Sequence, residues 1–144
     1  PLWSRGLGDV YKRQAPNDVV KQSIEFSEHS LHKDPEGRYR VGEDLDPTLV
    51  TNLKNSFAEI KAGNEVDRRV LSEQYKQFAD ATIRHFMIDF NKTLDLGMIK
   101  RKGADIGAAA VTKAVHIAID KLIPHLHKEE INALAEYHDT LFFN

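Results

Sequence analysis

Two stretches of the chain carry the same arrangement of chemistry-bearing residues. One reads His85-Phe-Met-Ile-Asp89, the other His116-Ile-Ala-Ile-Asp120. A four-residue step puts imidazole and carboxylate on one face of a helix. These are groups that zinc, iron or manganese accepts as ligands, and helical bundles assemble such sites from facing helices. If the two helices pair antiparallel about residues 97–103, His85 and His116 lie at nearly the same height. His–Asp pairs at this spacing are equally ordinary surface electrostatics, and the Glu-x-x-His step of di-iron bundles is absent. Asp89 stands apart. On a helical wheel it falls among Leu71, Tyr75, Phe78, Thr82 and Phe86, where a carboxylate needs a partner or a proton.

Two further groupings are weaker. Lys100, Arg101 and Lys102 form a basic run, placed just past a helix C-terminus where cations suit the dipole. As a nucleic-acid footprint it is three charges without interleaved aromatic residues. The connector 34–45 sets Asp34, Glu36 and Glu43 around Gly37 at the spacing of a calcium loop, but His32 at the first loop position and Pro47 in the exiting helix disagree with one. The chain has no Cys, which removes thiolate nucleophiles and Cys-ligated metals. It has no phosphate loop, dinucleotide fingerprint or nucleophile elbow.

The elements that must position these residues read as helices. Asp46 and Pro47 form a favoured N-cap and first-turn pair, Leu49, Leu53, Phe57 and Ile60 share a face, and Gly63 closes the helix. Asn64 starts a helix of about 31 residues, roughly 46 Å long, whose apolar face runs from Val70 through Phe78 to Leu94. The next helix, 105–123, is apolar nearly all round. Its polar residues fall in one narrow stripe of Asp105, Thr112, Lys113, His116 and Asp120. Such a helix belongs at the centre of a bundle, with the stripe as its wet edge. A last helix follows Pro124, with Glu130 answering a cap at His127 and Leu126 stapling onto Ile131. Before Asp46 the pattern is poorer: a weakly amphipathic helix over 18–31, then a polar connector. The fold class is all-α, an antiparallel bundle of four to five helices with one long central helix.

Residues 4–14, Ser-Arg-Gly-Leu-Gly-Asp-Val-Tyr-Lys-Arg-Gln, resemble the in-frame translation of a sequencing-library adapter. Residues 1–14 are therefore set apart from the fold, and 15–144 are read as one domain, the C-terminal part of a longer chain. Setting the segment aside removes Arg5, Lys12 and Arg13 against Asp9 and moves the net charge from −2 to −4. The composition, 41% hydrophobic and 29% charged over 144 residues, is that of a soluble globular domain. A cytoplasmic location is expected, and the mild negative charge gives no global pull toward nucleic acid.

Three functions are open. The expectation is a non-catalytic interaction or regulatory module, with no cofactor and with a protein partner or a second copy of itself. It rests on the long helix, the small residues Gly107, Ala110, Ala114 and Ala118, and the apolar C-terminus Leu141, Phe142 and Phe143. The alternatives are a metal or cofactor site at His85, Asp89, His116 and Asp120, and a nucleic-acid-associated regulator using Lys100, Arg101 and Lys102. Deleting residues 1–14 should leave the melting temperature within about a degree, since a segment that buries nothing contributes little. A drop of several degrees would show that it belongs to the fold.

Overall fold

The computed structural model describes residues 21, 25 and 30–142. Of these, 72% are helical. A short antiparallel hairpin, β1 (Leu31–Lys33) and β2 (Tyr39–Val41), precedes four helices. α1 is Pro47–Lys61. α2 is Arg68–Ile83, continued by a π-helical turn Arg84–Asp89 and a last α-turn Phe90–Lys92. α3 is Met98–Leu122, followed by a 3-10 turn Ile123–His125. α4 is Lys128–Asp139. The all-α reading of the fold holds. Most of the first expected helix lies outside the described residues, as does Phe143.

α1 forms as its sequence dictates. The Asp46 carboxylate accepts from the Leu49 N–H at 3.1 Å, Pro47 takes the first turn, and Gly63 follows the helix with φ +85°. Leu49, Leu53, Phe57 and Ile60 are buried together. α2 starts later than expected, because Asp67 rather than Asn64 is the cap: its carboxylate accepts from the Arg69 N–H at 2.8 Å. At α4, Glu130 accepts from the His127 N–H at 2.7 Å, as the capping pattern predicts.

The core is a single cluster. Leu49, Leu53, Phe57 and Ile60 of α1 meet Leu71 and Tyr75 of α2, Ile123, and Ile131 and Ala135 of α4. Phe142 packs against it, its ring centroid 6.2 Å from that of Phe57 and 5.5 Å from that of Phe78. Phe142 is therefore part of the core and not an exposed contact, against the expectation for the C-terminus.

The hairpin overturns one expectation: Leu31, read as the end of the first helix, begins β1 instead. Its turn is organised by one carboxylate. Asp34 accepts from the N–H groups of Glu36 at 3.1 Å and Arg38 at 2.8 Å. It also binds the Nε of Arg38 at 2.8 Å and of Arg40 at 3.0 Å. Burial pushes the Asp34 carboxyl up, but the Arg38 N–H and the Arg40 and Arg38 side chains outweigh this and hold it at about 2. Gly37, with φ +80°, completes the reversal.

α3 differs most from expectation. It starts at Met98, directly after Gly97, and includes the basic run in its first turns. Its position is also different: of its 25 residues only Ala108 is buried. It lies on the outside of the bundle against α2. Truncating the core and truncating this helix should therefore differ sharply. Phe57→Ala should cost about 3–5 kcal/mol, read as a lower denaturant midpoint, whereas Leu122→Ala, at an exposed position of α3, should stay within about 0.5 kcal/mol.

Candidate functional site

The register of α2 and α3 decides the fate of the paired His-x-x-x-Asp motifs. The His116 Nε2 lies 2.5 Å from the Asp80 Oδ1, and the Asp120 Oδ1 lies 2.6 Å from the Lys76 Nζ. Both contacts cross from α3 to α2, which makes the helices antiparallel. His85 is then level with Val111, about five residues or roughly 7.5 Å along the axis from His116. The expected match in height fails because the chain reverses at Gly97 and re-enters a helix at once. Among the described residues no three His, Cys, Asp or Glu side chains lie close enough together to hold a metal ion.

Asp89 is not the buried carboxylate that the wheel implies. The π turn adds a residue to one turn and rotates the residues beyond it by about 100° relative to an unbroken α-helix. Asp89 is half-buried, near enough to Glu43 for its charge to act there, and the Lys92 Nζ at 2.9 Å is the partner that such a carboxylate needs. Of the polar stripe of α3, Asp105, Lys113 and Asp120 are exposed as expected, while Thr112 and His116 are half-buried. His116 and Asp120 reach α2 from the edge of that stripe, where Lys76 also holds Glu73 at 3.0 Å. Lys100, Arg101 and Lys102 are exposed. They sit at the positive end of the α3 dipole, which disfavours them. Arg68 donates to the Leu126 carbonyl and Arg69 pairs with Asp67, so neither extends that run into a basic face.

The π turn does bring His85 into a cluster that spacing did not reveal. Ser30 Oγ and His85 Nε2 are 2.8 Å apart. On the other side of the ring, His85 Nδ1 is 3.9 Å from the Glu43 Oε2. The Glu43 side chain is only 8% exposed, and its Oε1 is buried with no hydrogen-bond partner. Burial pushes the Glu43 carboxyl above its usual range, with Asp89 adding to the effect, while the Thr82 hydroxyl and His85 oppose it. Glu43 lines a cavity of about 840 Å³ between the hairpin, α1, α2 and the segment after α4. Val50, Phe78, Phe86 and Phe142 supply its apolar wall; Arg40 and Lys54 also line it.

The order Ser30–His85–Glu43 repeats the connectivity of an acyl-transfer triad. The chemistry does not follow from it. The His–Glu separation exceeds a hydrogen bond, and neither Ser30 nor His85 is in the cavity wall, so a nucleophile at Ser30 would face no substrate. Glu43 was legible only as one acid in an acidic connector, because its burial depends on the hairpin lying over α2. No family model matches the chain, and neither the curated proteins nor the solved structures contain a match to it.

Because folding raises the Glu43 pKa, its contribution to stability is fully present below about pH 4 and is lost as pH rises through the folded value. Glu43→Gln should therefore melt higher than the parent at pH 7, with the gap closing near pH 4. Equal or lower melting at pH 7 would mean that the ionised carboxylate is well satisfied in place.

Proposed function

We propose that the protein is a non-catalytic interaction module whose partner is a second copy of the same chain, joined through α3. The observation that carries this reading is the outward face of that helix. Ile99 is 87% exposed, Ile106 62% and Ile117 47%. Gly103, Ala110 and Ala114 lie between them on the same side and are exposed too. Steps of three and four residues keep these six in one seam. An apolar strip of this length on a helix is the usual mark of an interaction surface.

The seam suits itself when two copies run antiparallel about Ala110. Ile106 then meets the second copy's Ala114, and Gly103 meets its Ile117, so large side chains face small ones. Lys100 comes level with the second copy's Asp120. The basic first turns of α3, which oppose their own helix dipole, come to lie against the negative end of the other. No helix among the described residues is long and apolar enough to cross a membrane, so the strip is not explained by a span.

The absence of Cys makes a clean test. Ala110→Cys should form a disulfide-linked dimer under mild oxidation and Met98→Cys should not, since only a residue near the two-fold axis meets its own copy. Ile106→Glu should give a monomer in light scattering at about 100 μM, a concentration that populates a micromolar dimer. A parent chain that is monomeric there, or equal crosslinking at both positions, overturns the reading.

A further inference from the structure

The hairpin keeps one edge open beside the cavity. The Gly42 N–H donates to the Ser30 carbonyl at 2.6 Å and the Asp34 N–H to the Arg38 carbonyl at 2.9 Å. In an antiparallel pair such bonded positions alternate with positions whose N–H and C=O point away from the partner strand. The register is Leu31↔Val41, His32↔Arg40 and Lys33↔Tyr39, so the outward set on β2 is Tyr39 and Val41. Among the described residues no third strand joins the sheet, and neither residue makes a backbone hydrogen bond on that side. Tyr39 is 70% exposed and Val41 74%, so a partner can reach the edge. Such an edge is a template for another extended chain.

The cavity lies off this edge. Of β1 only His32 touches it, whereas every residue from Tyr39 to Leu45 does. Successive residues of a strand point to opposite faces, so an unbroken run borders the space with its edge. Val50, Phe78, Phe86 and Phe142 stand across it. His32 is half-buried in the cavity wall, while Leu31 and Lys33 on the other face are exposed. A chain laid along β2 therefore points the side chain opposite Arg40 to the cavity side and turns its two neighbours outward beside Tyr39 and Val41. The rim favours acidic ends on that chain. Lys54 lines the cavity, is exposed and pairs with no acid among the described residues. Lys33 stands beside Tyr39, its Nζ 5.3 Å from the ring centre. Against these two charges the wall sets the exposed Asp44, since the Glu43 carboxyl is buried with Thr82 as its donor and Arg40 is paired with Asp34.

We propose that β2 binds an extended peptide antiparallel to itself, as a third strand. The peptide places one large apolar side chain in the cavity, a β-branched residue on either side of it, and an acidic residue at each end. In this mode main-chain hydrogen bonds supply affinity and the pocket supplies specificity. A compact ligand in the cavity would leave the backbone edge unused. The β2 of a second copy is a poor occupant, because antiparallel pairing about Arg40 would set two arginines side by side against an apolar wall.

The test uses the full chain and the blocked peptide acetyl-Glu-Val-Phe-Val-Glu-amide, in calorimetric titration and amide-exchange NMR. The peptide should bind saturably with a Kd below about 1 mM. At saturation it should slow exchange of the Tyr39 and Val41 N–H groups at least about tenfold. Its two valines turn their N–H groups toward β2 and its phenylalanine does not. N-methylation of the valines should therefore cost about tenfold or more in affinity, and N-methylation of the phenylalanine less than about threefold. Alanine in place of the phenylalanine should cost about tenfold or more, and lysine at both ends about threefold. Every change is made in the peptide, so lost binding is not lost folding. Four results overturn the proposal: no saturable binding up to about 5 mM; unchanged exchange at Tyr39 and Val41 in the bound state; N-methylated valines tolerated as well as N-methylated phenylalanine; or alanine or lysine peptides binding as tightly. All four leave the α3 dimer standing, because that is read from oligomeric state and crosslinking at a different surface.

Discussion

Phe57 is the side chain around which the described chain closes. It and Leu53 are removed entirely from solvent, and α1, α2 and α4 each turn their one apolar stripe toward them. A helix with a single stripe can bury it once. When three such helices have met, no apolar surface remains to enclose a fourth. α3 therefore reaches the core only near its end, through Ile119 and the following Ile123, and the rest lies along the outside of α2.

That geometric limit inverts the ordinary logic of an amphipathic helix. Part of the polar edge of α3 reaches its neighbour, where His116 meets Asp80 and Asp120 meets Lys76. Ile99, Ile106 and Ile117 face outward. Partly exposed ion pairs contribute little stability each, so these contacts serve better as register marks than as adhesive. They fix which residues of α2 and α3 are level while leaving the apolar side available to a partner. The cost of exposing it is what makes self-association a physical expectation for this helix.

The hairpin makes the second exception. Asp34 folds the turn by gathering two backbone N–H groups and two arginines, and in doing so binds the Arg40 charge a few residues from Glu43. Glu43 is then covered on α2 without a partner for one oxygen. The two acids show how environment and not residue type sets the outcome: guanidinium groups and backbone donors keep Asp34 ionised, whereas burial and the Asp89 charge push Glu43 the other way. The π turn contributes to both sides of this arrangement. It presents His85 to Ser30 and Glu43, and it leaves Asp89 half-buried and paired with Lys92.

Local sequence determined what local physics controls. The Asp46–Pro47 start of α1, the Gly63 stop, the His127–Glu130 cap and the three- and four-residue spacing of Leu49, Leu53, Phe57 and Ile60 depend on neighbours within one turn, and they were legible in the residues. So was the all-α class. The metal-like spacing of His85, Asp89, His116 and Asp120 was equally legible but incomplete, since it defines two faces and says nothing of how they are levelled. Only the tertiary structure decided that the chain reverses at Gly97, that the π turn 84–89 brings His85 to Ser30, that α3 lies mostly outside the core, and that the Glu43 side chain is buried. Each of these depends on contacts between residues dozens of positions apart, where small changes in register or rotation exchange one partner for another. No periodicity along a single chain carries that information.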